Sequence, residues 1–199
     1  IFFVHISTDH LFNGKKMFYS EESEPSPINN YAKTKLKSEK LVKTFKNYLI
    51  IRGNFFGWGS SYRKSFSDWI LYSLKNKKNI NLFSDIYFSP LYLETFINVI
   101  FELILKNKKG IFNLSSNERI SKYLFGLKLA KTFKLNKKFI LKSKIGAFKM
   151  VKRPKNMSLI NKKIKKTLKI KSNQLNIQTQ INLLQKRYNS SLFKKNKSL

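Results

Sequence analysis

Residues 1–10 read IFFVHISTDH, a mostly apolar run that stops at three small polar residues, Ser7, Thr8 and Asp9. Continuous rather than alternating hydrophobicity over residues 1–6 predicts a parallel strand covered on both faces. Ligands of open parallel sheets sit at the carboxyl ends of the strands, which makes Ser7-Thr8-Asp9 a candidate chemical loop. Residues 7–30 then read as loop: Asn13-Gly14 is a turn dipeptide, EESEPSP is acidic, and Pro25 and Pro27 exclude regular structure. The loop ends in NNYAKTK, residues 29–35, where Tyr31 and Lys35 stand four apart. Ala32, Leu36, Leu41, Val42 and Phe45 supply an apolar stripe, so a helix is predicted over residues 31–45.

The alternation continues along the chain. A second buried strand is predicted over residues 48–52 (YLIIR), followed by the Gly-rich turn GNFFGWGSS. Helices are predicted over 66–75, 91–106 and 121–134, and strands over 79–83, 110–114 and 139–141. Lys-rich helical segments over 159–168 and 174–188 follow, and residues 189–199 read as a frayed tail. Strands alternating with helices of this length predict an α/β fold with a parallel sheet. Residues 7–9, 53–59 and 84–90 all follow predicted strands and are expected to converge on one crevice.

Composition bounds the function. At 199 residues the chain can bury a real core, and 42% apolar residues with 15% aromatics argue against disorder. With no cysteine, neither a disulfide nor a thiolate metal site can form, and no metal site is expected. The formal charge of +31 suggests nucleic acid, but of 41 basic residues only five are Arg, and the 36 Lys are spread over most segments. Nucleic-acid surfaces favour Arg for bidentate contacts and gather their charge on one element, so no specific nucleic-acid partner is expected. The longest apolar stretch, residues 91–105, is too short for a bilayer span and contains Glu94, Asn98 and Glu102, so no membrane span is expected either. The start shows no charged leader and no cleavage site, and a cytoplasmic location is expected. A chain that opens directly in a strand is expected to be a piece of something longer.

Tyr31 and Lys35 share one helical face. An ammonium beside a phenol favours the phenolate, which equips a tyrosine to give or take a proton near neutral pH. A hydroxyl such as Thr8 could hold a reacting carbonyl oxygen beside it. The pair alone carries little weight, because nine Tyr among so many Lys would produce about one or two such spacings by chance. Its placement carries more: strand, Ser-Thr-Asp, turn, Pro-containing loop, Tyr and Lys opening a helix, then a strand ending in Arg52.

In that order, VHISTDHLFNGKKMFYSEESEPSPINNYAKTKLKSEKLV (residues 4–42) and YLIIRGNFFGWGS (48–60) resemble the extended short-chain dehydrogenase/reductases. More narrowly, they resemble the dTDP-4-dehydrorhamnose reductase, or sugar-nucleotide-binding, branch. Asp85 with Ser89-Pro90, GIFNLSS (110–116) and KRPKNMSL (152–159) extend the similarity to about residue 168. The resemblance implies the C-terminal part of a Rossmann-type parallel sheet with a small α/β substrate-binding lobe, the whole chain forming one partial unit. It implies NADPH or NADH as cofactor, a 4-keto nucleotide sugar as substrate, a role in deoxysugar and polysaccharide synthesis, and it admits a homodimer.

Residue by residue, the resemblance makes Tyr31 the acid that protonates the sugar C4 oxygen, and Lys35 the holder of the nicotinamide ribose. Thr8 would contact the keto oxygen, with Ser7 second. Ser7, Asn54 and Phe55 would border the cofactor, and Phe55 and His10 the substrate. Ala32, Ile86, Phe88 and Leu91 depart from the branch's usual residues. No G-x-x-G-x-x-G occurs among the seven glycines, so the turn that receives the cofactor's phosphates is expected before Ile1 and the chain by itself is expected to be inactive. The alternative is a truncated or non-catalytic relative serving as a binding or regulatory subunit.

Overall fold

A computed structural model describes residues 1–60, 62–148 and 150–190. In chain order the elements are β1 (Phe3–Ile6), α1 (Asn30–Val42), β2 (Tyr48–Gly53), β3 (Phe55–Phe56), α2 (Phe66–Lys75), β4 (Ile80–Phe83), β5 (Tyr87–Phe88), β6 (Leu91–Tyr92), α3 (Leu93–Leu105), β7 (Gly110–Leu114), β8 (Ile120–Ser121), α4 (Lys122–Thr132), β9 (Ile140–Ser143), α5 (Lys162–Leu168) and α6 (Ile177–Asn189). One-turn 3-10 helices cover Asp9–Leu11, Lys137–Phe139, Ile145–Ala147 and Ser172–Leu175. The fold is the α/β architecture expected, with parallel strands.

Its centre is the parallel sheet β1-β2-β7, with Phe3 opposite Tyr48 and Leu49 opposite Gly110. The middle strand β2 is buried from Leu49 onward, as its unbroken apolar run requires. At the end of β2 a Cβ on Gly53 would collide with the Leu114 carbonyl, so only glycine lets β2 and β7 run this close. Leu49, Ile51, Phe112 and Leu114 face one way, onto Phe96, Val99, Ile100 and Leu103 of α3 and onto α5. Ile50, Arg52 and Asn113 face the other way, toward α1 and the 19–21 loop.

That second face is held by charge. Arg52 and Glu39 are both buried, and Arg52 Nη2 and Nε donate to the Glu39 carboxylate at 2.7 and 3.0 Å. Arg52 Nη1 also donates to the Glu21 carbonyl at 3.3 Å. The Glu21 carboxylate accepts from the Asn113 backbone N–H, and Asn113 Nδ2 donates to the Tyr19 carbonyl, so the acidic loop covers the edge of β7. Tyr19 in turn pairs with Leu159 in an isolated parallel bridge.

A second hydrophobic cluster joins α2, α4 and α6 to the two-stranded parallel sheet β4-β9. Gly126 lets α4 lie on β4, since a Cβ there would strike Leu82. Side-chain caps start the helices: Asn29 accepts from the Ala32 N–H, Ser65 and Asp68 form a capping box on α2, and Ser121 accepts from the Leu124 N–H.

Several expectations shift. β1 is not covered on both faces: Phe3 and Ile6 remain exposed, and among the described residues only β2 pairs with it. The strand at 80–83 pairs with β9 and not with the central sheet. The stretch 91–105 gives a short strand and then a helix buried on one face only, with Ile97, Phe101 and Leu105 exposed. Residues 159–161 are not helical, because Leu159 is used in the bridge to Tyr19. Of the expected frayed tail, Asn189 closes α6, and residues 191–199 lie outside the described residues.

Removing one partner of a buried ion pair strands the other charge. Glu39→Leu is therefore expected to cost about 3–5 kcal/mol of stability in urea unfolding, and Glu39→Leu with Arg52→Met much less. Equal losses in the single and double variants would contradict this.

Candidate functional site

The site begins where β1 stops. The Ser7 N–H donates to the Ile51 carbonyl at 2.7 Å, which carries the strand pairing one residue further. Thr8 then caps the turn Asp9–Leu11, its Oγ1 accepting from the His10 N–H at 3.2 Å. That turn buries the Asp9 carboxylate, to which Asn54 Nδ2, just past β2, donates at 3.1 and 3.3 Å. The loops after β1 and β2 are thus clamped together by one amide and one carboxylate.

Helix α1 supplies the next side chains. Lys35 Nζ donates to the carbonyl of Ile6, the last residue of β1, at 2.6 Å. Tyr31 lies one turn earlier, 55% exposed as a residue, with its ring edge-on to His10 at 5.9 Å between centroids. Two cavities open here. One, of about 670 Å³, has Tyr31, Asn29 and Lys152 in its wall, and the other, of about 360 Å³, has Asn54, Phe66, Trp69 and Lys122. His10 and Arg153 line both and form the partition between them. Ile86, from the third expected loop, lines the smaller cavity, so all three loops reach one place although only two belong to the central sheet.

Burial sets the electrostatics. It pushes the Asp9 carboxyl above its ordinary range, against the opposing pull of His10, Lys122, Asn54 and Thr8. It holds the His10 imidazole below its ordinary range, with Asp9 pulling the other way. Lys122, the first residue of α4, is lowered to about 7, chiefly by burial and also by the Arg153 charge, with Asp9 opposing. Its ammonium lies 3.3 Å from the centroid of Phe88 and 4.6 Å from that of Phe66. The hydroxyl of Ser7 and Nδ1 of His10 are buried without a hydrogen-bond partner.

Of the residues singled out in the sequence, Ser7, Thr8, His10, Tyr31, Lys35 and Asn54 come together at the carboxyl ends of β1 and β2. Phe55 stands apart: its half-exposed ring packs on Phe96 at 5.1 Å and lines neither cavity. Sequence reasoning did not single out Glu39, Trp69 or Lys122. Glu39 could have been found as the lone acid on a basic helix, two turns after Tyr31. Lys122 had no signal, being one of 36 lysines.

The family model described as RmlD substrate binding domain matches residues 1–187. A solved structure of a hypothetical dTDP-4-dehydrorhamnose reductase from Sulfolobus tokodaii is 32% identical, with a TM-score of 0.73 over 83% of this chain and 57% of that one. A dTDP-4-dehydrorhamnose reductase of Bacillus anthracis in complex with NADP has the same fold: TM-score 0.83, 23% identity, 92% of this chain and 65% of that one. Among curated proteins, methionine adenosyltransferase 2 subunit beta of Rattus norvegicus is 29% identical over 171 residues, 79% of this chain and 50% of that protein. The chain spans about half the length of the curated relatives it matches.

Lys122 yields a stability signature. In the native chain its ammonium deprotonates at about 7 and in the unfolded chain at about 10.5. Between those values the unfolded chain binds the extra proton, so Lys122 lets native stability rise with pH across that window. Lys122→Met is expected to gain stability over the unaltered protein at pH 6 and to lose that advantage as pH climbs toward about 10. Urea melts across this range check it; a difference independent of pH contradicts it.

Proposed function

The chain belongs to the RmlD substrate binding domain family, and from that premise we propose that it carries the catalytic and substrate-binding part of a reductase acting on a 4-keto nucleotide sugar. The observation that carries this reading is the Lys35–Ile6 hydrogen bond, which fixes the Tyr31 face of α1 at the mouth of β1, beside Thr8 and His10.

The residues there fit the nicotinamide-ribose end of a dinucleotide. Lys35 would offer its ammonium to ribose hydroxyls, with the unpartnered Ser7 hydroxyl and Asn54 nearby, whereas Phe55, packed on Phe96, stands away from it. The phosphates would be held elsewhere, since no glycine-rich phosphate turn occurs in this sequence. Bound NADPH or NADH would supply the hydride. Tyr31 would give its phenolic proton to the C4 oxygen, and Thr8 Oγ1 would hold that oxygen in line. Thr8 Oγ1 accepts from the His10 N–H and gives its own proton to the Asp9 carboxylate at 3.4 Å, so that O–H would turn from Asp9 to the sugar oxygen when substrate binds. The His10 ring would bear on the sugar, with the nucleotide extending into the aromatic-walled cavity beyond the His10–Arg153 partition. Such a protein would work in deoxysugar and polysaccharide synthesis.

A second reading, a non-catalytic subunit of an assembly, is favoured by the methionine adenosyltransferase 2 subunit beta match, which covers 79% of the chain.

Reduction of 4-keto nucleotide sugars, followed by nicotinamide absorbance with NADPH and NADH in turn, separates the two. Tyr31→Phe is expected to lower kcat by about 10²–10⁴ while substrate binding persists. The assay uses the full-length protein: near-normal turnover in its Tyr31→Phe variant would refute Tyr31 as the acid, and nucleotide-sugar binding with no turnover in its unaltered form would favour the subunit.

A further inference from the structure

The smaller cavity has an unbalanced wall. Two cations, Lys122 and Arg153, line it, and the nearby carboxylate, Asp9, already accepts two hydrogen bonds from Asn54. The Lys122 ammonium rests on the faces of Phe88 and Phe66, partners that stabilise a cation more weakly than a hydrogen-bonded anion does. Apart from His10, Asn54 and Asn81, the remaining wall, including Trp69, Phe83 and Met157, is apolar. At about 360 Å³ the space suits a small organic ligand, and its makeup suits one with a flat face and a charged end. The charged groups bearing on Lys122 are Asp9 from the turn after β1, His10 beside it, and Arg153 from the segment before α5.

We propose that Lys122 makes this cavity proton-coupled: a nucleoside diphosphate entering between Lys122 and Arg153 draws a proton from solvent onto the Lys122 amine. This rests on the nucleotide-sugar reading and adds to it the residue that senses the ligand's charge. The diphosphate cancels the Arg153 repulsion and supplies the hydrogen-bonding anion that the aromatic rings do not. Burial of the free amine near neutrality leaves it partly deprotonated before the ligand arrives. The same coupling makes affinity fall as pH rises above neutrality, because the proton then has to be taken from a more dilute supply. His10, which lines the same cavity and whose imidazole burial holds below its ordinary range, is the competing acceptor.

Isothermal titration of the chain with UDP and with dTDP, in buffers of different ionisation enthalpy, measures the protons taken up. With Lys122 half-protonated at about pH 7, uptake should be roughly half a proton per ligand there and close to one at pH 8. Lys122→Gln should bind more weakly without uptake. Lys122→Arg, permanently charged, should bind without uptake and with affinity flat from pH 7 to 9; it decides the matter even if Lys122→Gln does not fold. Binding by the unaltered chain without proton uptake, or uptake that persists in Lys122→Arg, overturns the proposal and leaves the nucleotide-sugar reading standing. No binding of either nucleotide overturns both.

Discussion

The site depends on a charge pair that never meets solvent. Arg52 reaches from β2 to Glu39 on α1, and both are buried under the loop that carries Tyr19 and Glu21. A buried ion pair is a poor source of net stability but an exacting one in geometry, since any slip of α1 along the sheet leaves two charges uncompensated. It therefore sets the axial position of α1. Eight residues before Glu39 on the same helix stands Tyr31, and two residues after Arg52 stands Asn54. One interaction registers the helix that bears Tyr31 against the strand whose end clamps Asp9.

From that registration the chemistry divides into two zones meeting at His10 and Arg153. On the Tyr31 side the groups are hydroxyls, an ammonium satisfied by a backbone carbonyl, and an imidazole that burial holds below its ordinary range. On the Lys122 side the groups are aromatic rings and underused positive charge. On the proposed reading, a zone of hydroxyls beside an anion-attracting one suits a substrate that carries its reactive carbonyl and its charge at opposite ends. Lys122 is held where its charged form is costly.

Much of this was legible in the amino-acid order. The run IFFVHI followed by Ser-Thr-Asp, the prolines before NNYAKTK and the run YLIIR locate the first βαβ unit to within three residues, and with it the corner where Thr8, Tyr31 and Lys35 stand. These are local signals: hydrophobic runs, caps and turn formers. What stayed hidden was pairing at long range. Nothing near residues 80–83 says that they pair with 140–143, and nothing near Leu159 says that its backbone is claimed by Tyr19 and so denied to a helix. Lys122 was hidden for another reason. In a chain with 36 lysines composition masks function, and what sets this one apart is burial against two rings, Phe66 and Phe88, where Lys64 and Lys163 each lie over one.

The exposed stripe Ile97, Phe101 and Leu105 on α3 has a consequence for handling the protein. An apolar strip on a surface charged to +31 puts two colloidal forces in competition, contact attraction over a few ångströms and repulsion over a Debye length. Dilute buffer keeps the repulsion long-ranged, whereas about 1 M salt shrinks it to roughly 3 Å and leaves the strip unguarded. Solubility in this chain is thus expected to vary with ionic strength, with this helix face among the apolar surfaces that salt uncovers.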